Sequence, residues 1–325
     1  MKQYLDILEN VLTNGKMSDN RTGQPALRIP SGAVFEHDMS NGFPLITTKK
    51  MPLKTIATEL EFFLRGITDK KWLQDRKCHI WDEWANPDSW KPIYDTTIKI
   101  LENNAMTFGI NLTDKVRTKL QETLTESTRD LGPIYGFQWR HFGGEYKFNP
   151  SEIDSDPTDN FVKSKPGVDQ VANAIYESKN NPTNRRITVN AWNPVDMPRM
   201  ALPPCHVMHQ ILIQDGKLNL IWTQRSCDMF LGIPFNIASY ALLLMLYAKE
   251  AGLQPGILKG ELHDVHIYRN HIDQVKTQLQ RQPYALPTVE IPDGNWNGML
   301  NWHADDGFIL KNYIYHEKLR GDVTR

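Results

Sequence analysis

Residues 200–206 read Met200-Ala201-Leu202-Pro203-Pro204-Cys205-His206 and lead into an apolar run that ends at Asp215-Gly216. The two prolines prevent a helix from continuing into Cys205. β-Branched and apolar side chains over 207–213 indicate a strand, and Asp-Gly is a common two-residue hairpin turn. The sequence therefore predicts a β-hairpin that begins after Cys205 and returns to Arg225.

Helical and extended patterns alternate along the rest of the chain. Apolar residues recur at helical spacing over 53–64, and a strongly apolar helix is predicted over 236–251, opened by Asn236 as its N-cap. Residues 43–48 are predicted to form a buried strand. Because antiparallel pairs are interleaved with helices, the pattern favours a mixed α+β fold over a doubly wound parallel sheet.

Two segments interrupt this pattern. Residues 86–130 contain two early prolines and a polar run, which predict an inserted subdomain. Residues 143–167 are rich in aspartate and proline and are predicted to form a long surface loop. We expect a single domain over 1–325 that carries both insertions.

The composition excludes several classes of protein. The net charge of −1 offers no general basic field for a nucleic acid or a membrane surface. The three cysteines have no CxxC spacing, which argues against a disulfide framework or a zinc site. No signal-peptide pattern begins the sequence, and no apolar run approaches the ~18 residues of a membrane span. These features predict a cytoplasmic protein in a reducing compartment.

Cys205 is the candidate nucleophile, because it lies at a rigid strand start beside His206. A free cysteine is more often a small buried apolar residue, so the thiol alone is weak support. Arginines in turns or at strand edges strengthen it, since guanidinium groups suit phosphate dianions, although any single one is more often a surface ion pair. These arginines are Arg21, Arg185, Arg186, Arg225 and, less clearly, Arg140.

Other polar residues have two readings each. The apolar neighbours of Glu59 would raise its pKa into the range of a general acid. Alternatively, Glu59 belongs only to the polar edge of its helix. The Asn236 side-chain amide caps a helix, or it also matches the O4 acceptor and N3–H donor of uracil. His266 and Tyr268 face one way on a strand as ligand partners, whereas His263 faces the other way, which makes a metal site unfavourable.

Taken together, these residues and their order show that the chain resembles the thymidylate synthase family over nearly its whole length, apart from the two insertions. Two of the matching stretches are Leu202-Pro203-Pro204-Cys205-His206 and Gln224-Arg225-Ser226-Cys227-Asp228. The other matching stretches are residues 19–23, 42–49, 80–84, 131–136, 230–240 and 266–268. The resemblance implies a large mixed β-sheet flanked by helices.

The resemblance also implies how dUMP is held. Cys205 would attack C6 of dUMP and make C5 nucleophilic, while Asn236 reads the uracil. At the phosphate it implies contacts from Arg21, Arg225 and Ser226. Arg185 and Arg186 would reach the same phosphate from the other subunit, which makes the enzyme an obligate homodimer. His266 and Tyr268 would bind the 3′-hydroxyl.

The co-substrate implied by the resemblance is 5,10-methylenetetrahydrofolate, with no metal. Glu59, Tyr135 and His206 would manage protons at O4 and C5, and Asp228 would hold the pterin. The folate cleft would be lined by Ile80, Trp81, Trp84, Leu202, Leu231, Gly232 and Phe235.

The sequence departs from the family at Asp69, at His263 and at the terminal Arg325. The resemblance implies that, after one-carbon transfer, C5 carries a methylene group that a hydride from tetrahydrofolate reduces to give dTMP. A charged residue is a poorer lid over the folate, and water that reached the methylene would give 5-hydroxymethyl-dUMP instead. A phage-type dUMP hydroxymethylase is therefore the alternative. A thiol-dependent hydrolase is a remote alternative, because Cys205 and His206 are adjacent on a strand and face opposite sides.

Overall fold

The computed structural model describes residues 1–108, 111–148, 166–294 and 296–323. The chain forms two compact units. The first consists of Met1–Glu61, Val171–Asn190 and Cys205–Arg325, and the second of Phe62–Gln170 and Ala191–Pro204. The single domain and the inserted subdomain inferred from the sequence stay predictions.

The helices and strands are described with the following bounds. The helices are α1 (Lys2–Asn14), α2 (Leu53–Leu64), α3 (Lys70–Asp75), α4 (Pro87–Thr107), α5 (Asp114–Ser127), α6 (Tyr135–His141), α7 (Gln170–Asn180), α8 (Gly232–Ala251) and α9 (Ile272–Leu279). The strands are β1 (Lys16–Ser18), β2 (Ala26–Ile29), β3 (Ala33–Asp38), β4 (Thr188–Asn190), β5 (His206–Gln214), β6 (Lys217–Gln224), β7 (Cys227–Asp228), β8 (Gln254–Leu262), β9 (Val265–Tyr268), β10 (Thr288–Glu290) and β11 (Ile309–Lys311).

A five-stranded sheet in the order β3-β8-β6-β5-β4 forms the centre of the first unit. Strands β6 and β8 pair in parallel and the other pairs are antiparallel, so the predicted mixed sheet is confirmed. The predicted hairpin is confirmed as β5 and β6. Its turn residues Asp215 and Gly216 have φ values of 52° and 72°, as a tight hairpin turn requires.

Helix α8 supplies the apolar counterpart of this sheet. Tyr240, Leu244 and Tyr247 are among its many buried side chains, and Gly252 ends it in the left-handed conformation. The Tyr240 ring stacks on Trp222 of β6 at 5.2 Å between centroids. Trp222 in turn lies over Gly260 of β8, where an added Cβ would meet the indole at 2.5 Å.

A second sheet in the order β1-β2-β9-β7 holds polar residues in fixed register within the same unit. Arg28 on β2 is opposite His266 on β9, and Asp228 on β7 is also paired with His266. The guanidinium of Arg28 forms a two-pronged ion pair with Asp264, with both N–O distances at 2.9 Å. This ion pair holds Asp264, the residue directly before β9, to β2.

The second unit contains the predicted insertion as the helices α4 and α5. The Asn86 side chain accepts from Asp88 N at 3.0 Å and begins α4, so the helix forms although Pro92 lies inside it. The carboxylate of Asp130 accepts from Asn86 Nδ2 and Ser89 Oγ, both at 2.8 Å. The start of α4 is therefore tied to the end of the insertion.

Only the ends of the predicted 143–167 loop are described, since residues 149–165 lie outside the described ranges. Phe142 and Val168 form an antiparallel bridge with N–O distances of 2.9 and 3.0 Å. The bridge brings the two ends of the loop together.

Two local predictions are wrong. Residues 43–48 are buried but form no strand, because their backbone groups bind separated partners such as Pro287 O and His316 N. Asn236 is not the N-cap of α8, which already begins at Gly232. Pro234 falls in the first turn, where a proline is tolerated, and so does not delay the helix.

We predict that Gly260→Ala lowers the free energy of unfolding by about 1–3 kcal/mol, because the new methyl group would displace the Trp222 indole between its neighbours. Denaturant unfolding followed by circular dichroism would measure the change. Gly294→Ala is the control, since an added Cβ there has open space around it. Equal destabilisation by the two variants would contradict the prediction.

Candidate active site

The β5–β6 hairpin brings Cys205 and Arg225 together. His206 and Gln224 are opposite one another in the ladder, so Cys205 and Arg225 come next at the open end. Arg225 N donates to Cys205 O at 2.9 Å, and its Nη2 lies 4.0 Å from Cys205 Sγ. A half-buried thiol therefore lies against a guanidinium group.

The electrostatics of Cys205 have opposing causes. Burial raises the pKa of the thiol above its ordinary value, while the positive charges of Arg225 and Arg21 lower it. Asp228 acts in the same direction as burial. The arginines are therefore the groups that favour the nucleophilic thiolate in this site.

Arg21 and Tyr268 belong to the same cluster. Arg21 lies in a turn that Asn20 closes by accepting from Thr22 N at 2.9 Å. Burial raises the pKa of Tyr268, Asp228 raises it further and Arg21 lowers it. The thiol and the phenol thus experience the same two charges, Arg21 and Asp228.

Asn236 lies in α8, and Gln224 of β6 orients its side-chain amide. Gln224 Nε2 donates to Asn236 Oδ1 and to Ser226 O, both at 3.0 Å. Gln224 Oε1 accepts from Trp222 Nε1 at 3.2 Å. This chain of bonds fixes which end of the Asn236 amide accepts and which end is left to donate.

His206 is buried and bound to α8. Its Nδ1 lies 2.8 Å from Tyr240 Oη, and the two rings meet edge to face. Burial lowers the pKa of His206 to about 3, so the imidazole is neutral at physiological pH. It can relay a proton through hydrogen bonds but carries no standing positive charge.

His266 and Tyr268 lie on β9 as predicted, with ring centroids 5.0 Å apart. His266 Nδ1 donates to Asp264 O at 2.8 Å, which fixes the imidazole. His263 contributes its backbone N–H, which donates to Gln224 O at 2.8 Å. Within the four described ranges no three His, Cys, Asp or Glu residues are grouped to hold a metal ion.

Asp228 has a fixed carboxylate. Its Oδ1 accepts from the backbone N–H groups of Phe230 and Leu231 at 2.9 and 3.1 Å, directly before α8. Leu231, Gly232 and Phe235 follow, all half-buried. A fixed carboxylate beside half-exposed apolar groups fits a flat ring that carries N–H donors.

Glu59 is half-buried on α2. Its neighbour Glu61 is buried and accepts from Ala304 N at 2.8 Å, with His303 Nδ1 at 3.2 Å. Glu61 thus has a structural role, which leaves Glu59 as the candidate proton-handling carboxylate of this helix.

The second unit holds the other predicted residues in an aromatic cluster. Phe63 contacts both Tyr135 and Trp81, with centroids 4.9 and 6.3 Å away, and Tyr135 and Trp81 are 6.2 Å apart. Tyr135 and Trp81 are buried, Trp84 and Leu202 are half-buried and Ile80 is exposed.

The remaining arginines divide into two kinds. Arg185 and Arg186 are exposed on the loop before β4, and Gln210 Nε2 donates to Arg185 O at 2.9 Å. Arg140 is buried and ion-paired with Asp169 at 2.8 Å, so its candidacy as a phosphate ligand is wrong. Asp69 is buried too; it caps α3 and pairs with Arg129.

Gln224 and Lys49 were missed as individual functional residues, although both lie in the quoted motifs. Lys49 is buried, donates to Phe230 O and lies 3.8 Å from the Phe230 ring centroid. Burial lowers the pKa of Lys49 to about 8, and Asp228 opposes that shift. The only signal for Gln224 was its place two residues before Ser226 in a strand of alternating burial.

The sequence model of thymidylate synthase matches residues 2–325. The chain belongs to the thymidylate synthase family. It is 38% identical over 325 residues to the thymidylate synthase of Mycoplasma pneumoniae, and the alignment covers all of both chains.

Two bifunctional relatives are similarly close. The chain is 40% identical over 317 residues to a bifunctional dihydrofolate reductase-thymidylate synthase of Paramecium tetraurelia, covering 98% of this chain and 60% of that one. It is 37% identical over 322 residues to the bifunctional protein of Plasmodium chabaudi, covering 99% and 48%. The chain thus spans between 48% and 60% of the length of these two bifunctional relatives. These names do not favour the hydroxymethylase alternative.

We predict that Arg225→Gln shifts the alkylation of Cys205 by iodoacetamide to higher pH in the ligand-free protein. Removing the positive charge removes the main cause that lowers the thiol pKa, so the rate near pH 8 should fall by about three- to tenfold. Mass spectrometry of the Cys205 peptide across a pH series would measure it. Lys217→Gln, which changes an exposed cation at the turn end of the same hairpin, is the control, and superimposable profiles for the three proteins would contradict the prediction.

Proposed function

We propose that the chain transfers a one-carbon unit from 5,10-methylenetetrahydrofolate to C5 of dUMP and so forms dTMP. The observation that carries this proposal is the arrangement on one hairpin. Cys205 lies beside Arg225 at its open end, and Gln224 from the same strand holds the Asn236 amide. A nucleophile and a phosphate ligand thus lie on one hairpin, and a residue of the same hairpin orients the base reader in α8. Membership of the thymidylate synthase family supports the same reaction.

In this mechanism the Cys205 thiolate attacks C6 of the bound pyrimidine, and C5 becomes nucleophilic. Arg225 and Arg21 favour the thiolate and, with Ser226, hold the phosphate. The dianion would offset part of their charge, so substrate binding and thiol activation use the same groups.

The base would be selected by the fixed amide. With Asn236 Oδ1 accepting from Gln224, the oxygen keeps a lone pair for N3–H and the nitrogen donates to O4 of uracil. Cytosine presents a donor where the amide also donates, which would cost about 1–3 kcal/mol. His266 and Tyr268 would bind the 3′-hydroxyl.

Protons would be managed by Glu59, Tyr135 and His206. The neutral His206, fixed by Tyr240, would order a water-mediated hydrogen-bond path without adding charge near the thiolate. Glu59 is the carboxylate that would exchange protons at O4 and C5.

The folate co-substrate supplies the one-carbon unit and the hydride. In the first unit Asp228, Leu231, Gly232 and Phe235 would contact it, the carboxylate accepting from pterin N–H groups. In the second unit the contacts would come from Ile80, Trp81, Trp84 and Leu202. No helix in the described ranges is both long and apolar enough to cross a membrane. We propose a cytoplasmic enzyme, whose reducing surroundings keep Cys205 as a thiol.

The chain would act as a homodimer in which Arg185 and Arg186 complete the phosphate site of the partner subunit. Their exposure on the loop before β4 supports this role. The terminal residue Arg325, which the sequence analysis placed in the lid, lies outside the described residues.

Product analysis tests the reaction. With dUMP and methylenetetrahydrofolate, the unaltered protein should form dTMP and dihydrofolate in equal amounts. Cys205→Ala should abolish turnover, because no neighbour replaces the thiolate, while dUMP binding is retained. Cys78→Ala, with its cysteine buried in the second unit, is the control and should retain activity. Tetrahydrofolate with 5-hydroxymethyl-dUMP would establish the alternative, and an active Cys205→Ala would refute both.

Subunit mixing tests the dimer. Cys205→Ala and Arg186→Ala should each be inactive or strongly impaired, and a mixture should regain activity, because half of the sites in a hybrid dimer carry neither change. Turnover is measured after exchange, with exchange followed by mass-labelled subunits. No recovery in a sample that contains hybrids would mean that each site is built within one chain.

A further inference from the structure

The turn at 79–84 carries Trp81 and Trp84, and its shape depends on a buried lysine. Lys70, the first residue of α3, has no exposed surface. Its Nζ donates to Asp82 O at 2.7 Å and to Trp84 O at 2.9 Å. The third bond goes to Thr125 O at 2.6 Å, near the end of α5. An ammonium group has three N–H donors, so all of them are used.

The bond to Thr125 joins the insertion to this turn. The last four carbonyls of an α-helix have no partner within the helix, and Thr125 lies in the last turn of α5. A cation at that end also interacts favourably with the helix dipole. The single ammonium group of Lys70 thus donates both to the end of α5 and to residues 79–84, here called the tryptophan turn.

The cation is held by backbone carbonyls rather than by a carboxylate. Asp82 directs its carboxylate to Gln74 and His79, with distances of 2.9 Å, while Asp69 is bound to Arg129. Burial lowers the pKa of Lys70 to about 8, and the charges of Asp82, Glu126 and Asp69 oppose this. Burying a charge in this way is costly, so its contribution is geometric rather than a source of stability.

Other contacts fix parts of the same turn. Gln74 and His79 hold the Asp82 side chain, and Trp84 N donates to Trp81 O at 3.1 Å. Lys70 joins two carbonyls of the turn to a separate element, α5. Without it, Asp82 O, Trp84 O and Thr125 O would each lose a charged donor.

We propose that Lys70 is a positioning residue that couples the inserted helices α4 and α5 to the tryptophan turn and thereby sets the affinity for the folate co-substrate. The inference rests on the proposed function, in which Trp81 and Trp84 contact the folate. It gives the insertion a role: its second helix braces the turn through one ammonium group.

The test compares Lys70→Met with Lys71→Met in the full chain. Lys71 is the matched control, because it is the next residue of α3 but is exposed and paired with Asp75. Lys70→Met should raise KM for methylenetetrahydrofolate about tenfold, the ratio that corresponds to about 1.4 kcal/mol. The Kd for dUMP should stay within about twofold, because the nucleotide contacts lie elsewhere. Lys70→Gln, which keeps two N–H donors without charge, should give an intermediate KM.

Hydrogen exchange provides a readout that does not depend on turnover. Peptides covering 79–86 and 114–127 should both exchange faster in Lys70→Met and not in Lys71→Met. An unchanged KM for the folate, or faster exchange in only one of the two peptides, would overturn the coupling. If Lys70→Met does not fold, Lys70→Gln decides by the same two measurements. An inactive unaltered protein would refute the proposed function instead, and the exchange arm would still test the coupling.

Discussion

The close approach of Trp222 to Gly260 is the constraint on which the site in the first unit depends. Because β8 has no side chain at Gly260, the indole lies flat between the strand and the Tyr240 ring. Its N–H then reaches Gln224, which orients Asn236, while Tyr240 holds His206. Packing in the core thus positions both the amide that we propose reads the base and the imidazole that we propose relays protons. A change at Trp222 would disturb both side chains at once, although Trp222 itself is fully buried.

The parts of the fold that were predictable from the sequence are those decided by local rules. The Asp215-Gly216 turn and the alternation on either side of it specify the β5–β6 hairpin, and with it the position of Cys205 beside Arg225. The start of α8 was misjudged because Pro234, which usually marks a break, is tolerated in a first turn. The strand expected over 43–48 was wrong for another reason. An apolar run reports burial, but only the partners of its backbone groups decide its secondary structure.

Some site residues could likewise be predicted from the sequence and others could not. Cysteine, arginine and asparagine could be recognised from their motifs, because the family resemblance assigns them roles. Gln224 and Lys70 could not, since a glutamine or a lysine in a sequence is usually a surface residue. Their importance comes from burial and from three-dimensional partners. Lys49 and Lys70 are both buried cations that donate to backbone carbonyls, and burial lowers the pKa of each to about 8. No periodicity distinguishes such a lysine from a solvated one.

Hydrogen bonds to backbone groups hold the described part of the C-terminal tail within the first unit. His316 N donates to Thr47 O at 2.8 Å, and Arg281 donates to Glu317 O at 2.7 Å. His271 Nε2 donates to Asp322 O at 2.9 Å, and an added Cβ at Gly321 would lie 2.8 Å from the Phe230 ring. Glu317 and Asp322 take part through backbone carbonyls, so this anchoring is independent of their side chains. At Gly321, in contrast, the residue type matters. Only a residue without a Cβ allows the tail to lie so close to the Phe230 ring.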